Sequence, residues 1–244
     1  MRKYMWFAAL AATAVFVIAQ GTGSQAIQGF IKTLQGAKAL KATVLAGAVG
    51  GATSNVEITF AKPNLARIET ADQLIVADGA TVTVYDKASK TYYKDPQTDA
   101  ALSEILKPDA LALCAPFFDA KALEKASTKS LGTKTRKGVQ YAAIEATFGA
   151  GLKKVVYYID GEGLARQAEI AYSDVPEQTI LIAKSLELTS DDNGAAFTFR
   201  APEGAKELTP EERNAGKWFE NLDEALAEAK KTGKLVMVDF SAVW

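Results

Sequence analysis

The chain has 244 residues, with 28 basic and 29 acidic side chains, no histidine and one cysteine. Near-neutral charge removes the electrostatic footprint of a nucleic-acid binder. The lack of histidine excludes a histidine general base, a Ser-His-Asp triad and histidine metal ligands. The lone Cys114 makes neither an internal disulfide nor a CxxC pair nor a thiolate metal cluster. No catalytic group, metal site or cofactor is expected.

Arg2 and Lys3 open the chain, residues 5–19 are almost entirely apolar, and Ser24-Gln25-Ala26 is a small-x-small step. This is the pattern of a Sec-type signal peptide over residues 1–26. The apolar run is shorter than the ~20 residues of a membrane span, although an uncleaved anchor is the alternative. No cysteine adjoins the cleavage step, so a lipid-modified N-terminus is not expected. The mature protein is expected to be soluble and exported, in a two-membrane bacterium to the periplasm, with only transient membrane contact.

Residues 27–40 place Ile27, Phe30, Ile31, Leu34 and Ala37 at helical spacing. Strands are predicted at 41–46 and 54–61, the second with Val56, Ile58 and Phe60 on one face. A meander follows: Pro63-Asn64 precedes a strand at 65–70, and Asp78-Gly79 reads as a two-residue hairpin between strands 74–77 and 81–86. Residues 86–90 then turn into a strand at 91–94. Val82 and Val84 alternate with Thr81, Thr83 and Tyr85, the period of a strand. Residues 96–126 change character: Leu102, Ile105 and Leu106 have helical spacing, Pro108-Asp109 can start a second helix, and 120–126 a third short one. Leu111, Leu113, Pro116, Phe117 and Phe118 form an apolar cluster around Cys114, which is expected to be a buried, inert thiol.

From Ser127 strands return, with a basic turn at 132–138. Strands are predicted at 139–148, 152–159, 164–172, 178–189 and 195–200, separated by Gly-, Asp- and Pro-containing turns. Ten to eleven hairpin-connected strands, with helices confined to two places, predict a mainly β, α+β protein: a curved antiparallel sheet wrapped around helices. Residues 205–216 read as a polar linker. Residues 219–231 form an amphipathic helix with Asn221 or Asp223 as cap and Gly233 as its end, followed by a continuous apolar strand at 234–240.

Several of these motifs, in order, resemble the outer-membrane lipoprotein carrier (LolA/LolB-like) family: Lys62-Pro63-Asn64, Arg67, Val76-Ala77-Asp78-Gly79, Val84-Tyr85-Asp86, the hairpin from Ile159 to Arg166, and Phe197-Thr198-Phe199 with Pro202 and Gly204. The resemblance spans residues 27–204. It implies an unclosed half-barrel of antiparallel sheet with a helical lid over an apolar cavity. It also implies a carrier of lipid or acylated-lipoprotein chains, with an envelope protein as a further partner. The residues it points to are Lys62, Arg67, Tyr85, Leu113, Phe117 and Phe118. Where carriers often have an arginine that ties the lid shut, this chain has Lys62, which lacks the planar bidentate fork.

Residues 217–244 resemble the opening helix and strand of thioredoxin-like domains, in which the tryptophan precedes the catalytic Cys-x-x-Cys. The sequence stops at Trp244. A fragment, a UGA selenocysteine codon at position 245, and a native helix-strand packed on the sheet are the three explanations. Three functions are weighed: an apolar-ligand carrier, which a native end would leave as the whole function; an envelope thiol oxidoreductase whose catalytic part lies beyond Trp244, which the fragment and the UGA codon would both imply; and a purely structural envelope protein.

Overall fold

The computed structural model describes residues 23–190, 194–213, 219 and 221–238. Its frame is one sheet of twelve strands. The first six run in chain order: β1 (Ala39–Ala48), β2 (Thr53–Ala61), β3 (Leu65–Glu69), β4 (Gln73–Ala77), β5 (Thr81–Asp86) and β6 (Thr91–Pro96). Five more follow: β7 (Ser127–Arg136), β8 (Val139–Phe148), β9 (Lys153–Ile159), β10 (Ala165–Tyr172) and β11 (Val175–Thr189). The two meanders join where β1 pairs antiparallel with β11, for example Leu40 opposite Leu188. The spatial order is therefore β12-β6-β5-β4-β3-β2-β1-β11-β10-β9-β8-β7, with β12 (Lys206–Glu207) added parallel to β6.

This order determines the path of residues 97–126. They connect β6 to β7, which lie at opposite ends of the sheet, so the connection must cross one face. It does so through α2 (Asp99–Ile105), two 3-10 turns at Asp109–Leu111 and Ala115–Phe117, and α3 (Lys121–Glu124). The predicted second helix is thus a single 3-10 turn, which Pro108 precedes. The turn after Phe117 and the short α3 leave no run long enough for a continuous helix.

The crossed face is the core face. Leu40, Ala42 and Val44 of β1, Val56, Ile58 and Phe60 of β2, and Val155, Tyr157 and Ile159 of β9 alternate onto it and are buried. Register shifts interrupt β1 against β11 at Thr43/Val44, β10 at both of its neighbours, and β7 against β8. Such bulges increase local twist and bend a sheet. The sheet curves around α1 (Gly23–Gly36), whose Ile27, Phe30, Ile31 and Leu34 are buried at the predicted helical spacing. α1 starts four residues before the predicted boundary and ends at Gly36. Gly23 is packed so closely that a Cβ there would lie 2.8 Å from the Ser130 nitrogen of β7. The candidate cleavage step 24–26 therefore forms the first turn of α1, and residues 1–22 lie outside the described residues.

The meander is close to prediction, with one adjustment. The β4–β5 loop contains Asp78, Gly79 and Ala80, one residue longer than a two-residue turn. Asp78 Oδ1 accepts from the Ala80 and Thr81 amides at 2.9 and 2.7 Å, and Gly79 takes φ +96°. Residues 194–213 are a larger departure. No strand forms at 195–200; Gly194–Phe197 is a 3-10 turn. Phe197 packs with Ala39 and Ala61, and Phe199 lies 6.1 Å from the Tyr85 ring and 5.0 Å from the Tyr92 ring, on the outer face. The expected linker is docked as far as it is described. β12 pairs with β6, and α4 (Pro210–Arg213) ends in Arg213, whose guanidinium lies 2.7 Å from both Asp95 carboxylate oxygens and 3.8 Å over Tyr93. A chain that reads as polar and loose is thus a strap along the β6 edge.

The C-terminal helix α5 (Leu222–Thr232) is present, with Asn221 Oδ1 accepting from the Asp223 and Glu224 amides and Gly233 as a left-handed C-cap. The predicted strand after it is not formed over residues 234–238. That backbone has no ladder partner among the described residues, and Leu235 is fully exposed. Positions 239–244 lie outside the described residues.

Phe30 is fully buried, with its ring centroid 5.7 Å from that of Tyr157. Phe30→Ala is expected to cost about 3–5 kcal/mol, seen as a lower urea midpoint at unchanged slope. Leu226→Ala, on a helix with no buried residue, is expected to change stability by less than about 0.5 kcal/mol.

Candidate functional site

The candidate site is the interface between the covering segment 97–126 and the core face of the sheet. Its first attachment is Gln97. The Gln97 carboxamide accepts from the Gly79 amide at 2.8 Å and donates to the Asn64 carbonyl at 2.7 Å, which fixes the start of the cover to two sheet corners. Thr98 then caps α2 by accepting from the Ala101 amide at 3.1 Å.

The second attachment is Lys62, at the corner between β2 and β3. Its ammonium donates to the Phe117 carbonyl and sits 4.4 Å over the Phe117 ring and 5.5 Å from the Phe118 ring centroid. Burial holds its pKa below the ordinary lysine value. The compact ammonium serves the carbonyl and the aromatic face together,. Phe117 and Phe118 meet edge-on at 4.9 Å, and Phe118 lies 4.9 Å from Phe60 of β2. Leu113 and Cys114 are fully buried beside them. Burial pushes the Cys114 thiol up to about 12, so this thiol is neutral and inert,.

Four of the six predicted site residues, Lys62, Leu113, Phe117 and Phe118, are thus brought together, and they form packed core between cover and sheet. The other two are not with them. Ala66 and Ile68 of β3 face the core, so Arg67 points to the outer face, where it pairs with Glu69 at 3.1 Å. Lys87 pairs with the same carboxylate at 2.9 Å. The Lys87 hydrogen bond holds the Glu69 pKa low against burial, with Arg67 adding to it. Tyr85 also faces outward and is covered by Phe199. Strand alternation separates both residues from the cover.

The third attachment lies across the cover from Lys62. Asp109 accepts from Lys153 of β9 at 2.5 Å and from the Tyr172 hydroxyl of β10 at 3.0 and 3.1 Å. Burial would lower the Lys153 pKa, but its hydrogen bond and charge pairing with Asp109, helped by Tyr172, outweigh burial and raise it. Burial, followed by donation to Asp109, raises Tyr172. Sequence reading missed this cluster because its members are 44 and 63 positions apart. The only local signal was Pro108-Asp109 as a helix start.

Beside this cluster, between the cover and β8–β9, is a cavity of about 340 Å³. Leu106, Leu123, Phe148, Val155 and Tyr157 supply its apolar wall, and Ser103, Lys107, Asp109, Asp119 and Lys153 its polar groups. Its volume is near the lower end of ordinary small-molecule sites, roughly 300–1,000 Å³. No group of three or more metal-ligating side chains occurs among the described residues, and no described helix is long and apolar enough to cross a membrane.

No family model matches the chain. An uncharacterized protein of Methanocaldococcus jannaschii is 29% identical over 173 residues, which are 70% of this chain and 48% of that protein. The chain thus spans about half the length of the curated relative it matches. Among solved structures, an uncharacterized conserved protein from Thermus thermophilus is similar over 76% of this chain and 98% of its own, at 11% identity and a TM-score of 0.49. A LolA superfamily protein from Nitrosomonas europaea is similar over 73% and 98%, at 11% identity and a TM-score of 0.36.

Cys114 reports on the cover directly. At mildly alkaline pH, a disulfide reagent is expected to leave the native thiol essentially unlabelled and to titrate it fully on unfolding. Lys62→Met is expected to speed native-state labelling several-fold, because it removes the tie at Phe117. Equal labelling rates for the two proteins would show that Lys62 does not hold the cover.

Proposed function

We propose that this chain is an exported, non-enzymatic binding protein that holds acyl chains of a lipid or an acylated lipoprotein between its helical cover and the concave face of its sheet. One observation carries the reading: the cover spans an apolar face, yet it is tied there by a handful of polar contacts, with an apolar cavity left beside it. The carrier-like motifs of residues 62–86 and 159–204 support the same reading. In it, Lys62, Leu113, Phe117 and Phe118 form the seam that parts when the cover lifts. Arg67 and Tyr85 play no part in the ligand site.

Cys114, the only cysteine of the sequence, is buried and supplies no redox centre; the oxidoreductase alternative places its centre beyond Trp244. The binding reading needs no reaction. Affinity comes from withdrawing methylenes from water, at about 0.8 kcal/mol each.

The test is saturable displacement of a fluorescent acyl probe from the full chain, together with extraction of the purified protein for bound lipid. The expected result is one site per chain, with affinity rising by about fourfold for each added methylene until the cavity is filled. No saturable binding and no retained lipid would overturn the proposal.

A further inference from the structure

Among the polar groups that line the cavity under the cover is one ion pair to the sheet, and its acidic member is a carboxylate on the cover. Asp109 receives the Lys153 ammonium and the Tyr172 hydroxyl. Asp109 and Lys153 line the cavity together with its apolar walls, and Tyr172 adjoins it through Asp109. Resting on the binding reading above, the geometry points to a long-chain carboxylate with a single chain as the occupant of this cavity. Its head replaces Asp109 on Lys153 and Tyr172, and its chain lies along Leu106, Leu123, Phe148 and Val155.

The volume favours one chain over several, since 340 Å³ is close to the minimum for a small-molecule site,. The charge argues for an anion. Lys153 is only about a quarter exposed, and losing Asp109 without replacement would leave a cation unpaired in a poorly solvated corner,. A ligand carboxylate makes the swap charge-neutral and keeps the charge-assisted hydrogen bonds. Asp109 sits at the start of a single 3-10 turn and is itself about a quarter exposed, so its carboxylate can turn outward without unwinding a longer helix. The other charged groups of the lining do not compete for the head. Lys107 pairs with Glu104, and Asp119 accepts from the Lys121 amide. Two residues after Asp109, Leu111 is buried in the core. Release of Asp109 therefore loosens the cover at the moment the ligand enters, which makes binding and opening a single event.

Dodecanoate and dodecanol, which share a chain and differ in head charge, are titrated against a fluorescent acyl probe bound to the full chain. The wild type is expected to bind dodecanoate about tenfold tighter than dodecanol. Lys153→Met is expected to remove that preference and leave dodecanol within about twofold, while Asp109→Asn tightens dodecanoate several-fold by removing its competitor. Circular dichroism verifies each fold. If Lys153→Met fails to fold, the wild-type preference and the Asp109→Asn arm still decide. Equal binding of the two ligands by wild type, or a preference that survives Lys153→Met, overturns the head assignment and leaves the apolar site standing. Failure of both ligands to displace the probe overturns the site itself.

Discussion

The antiparallel ladder between β1 and β11 is the constraint on which the rest depends. It joins two meanders at their first and last strands, and so puts β6 and β7 at opposite ends of one sheet. The connection between them has to cross a face, and an apolar face is the one that rewards crossing. Each large side chain buried there contributes about 1.5–3 kcal/mol relative to exposure. α1 fills the centre of the curve, and the cover closes what α1 leaves open. The apolar interior, the cover and the cavity between them follow from that one pairing.

Burial and polar contacts divide the work on the cover. Leu111, Leu113, Cys114, Phe117 and Leu123 supply most of the attraction. The ties at Gln97, Lys62 and Asp109 add a smaller share, since a hydrogen bond nets about 0.5–1.5 kcal/mol, and one to a charged group about 1.5–3 kcal/mol. They do, however, decide direction. Gln97 anchors the segment where it leaves β6, whereas Lys62 and Asp109 hold opposite flanks farther along. In the proposed reading, this segment, anchored at its start and latched at its sides, lifts as a unit. On the outer face Phe197 and Phe199 pack onto the sheet, and β12 extends it by pairing with β6.

The strands were legible where alternation is strong. β2, β3, β5 and β8 fall where the side-chain period places them, because successive side chains alternate between the two faces of the sheet. The same period could not say which face receives a ligand. Tyr85 lies among alternating residues of a strand that is buried on both sides, inward by the cover and outward by Phe199. Alternation identifies two faces without ranking them. Phe197 and Phe199 alternate like a strand, yet they serve a strap, since what they pack against lies more than a hundred residues earlier in the chain. The polar run at 205–213 reads as a linker because its anchors, Asp95 and the β6 edge, are also distant. The Asp109–Lys153–Tyr172 corner was invisible for the same reason: no local pattern marks a cluster assembled from a turn and two strands.

The central claim is that the cover opens while the sheet stays folded. Native-state hydrogen exchange measures this residue by residue. The account predicts that amides of residues 99–124 exchange through an opening of lower free energy than the amides of β1 and α1, and that a bound acyl chain changes the exchange of the cover but not of β1. Exchange of the cover only through global unfolding, at the same free energy as β1, would contradict it and make the segment a fixed plug.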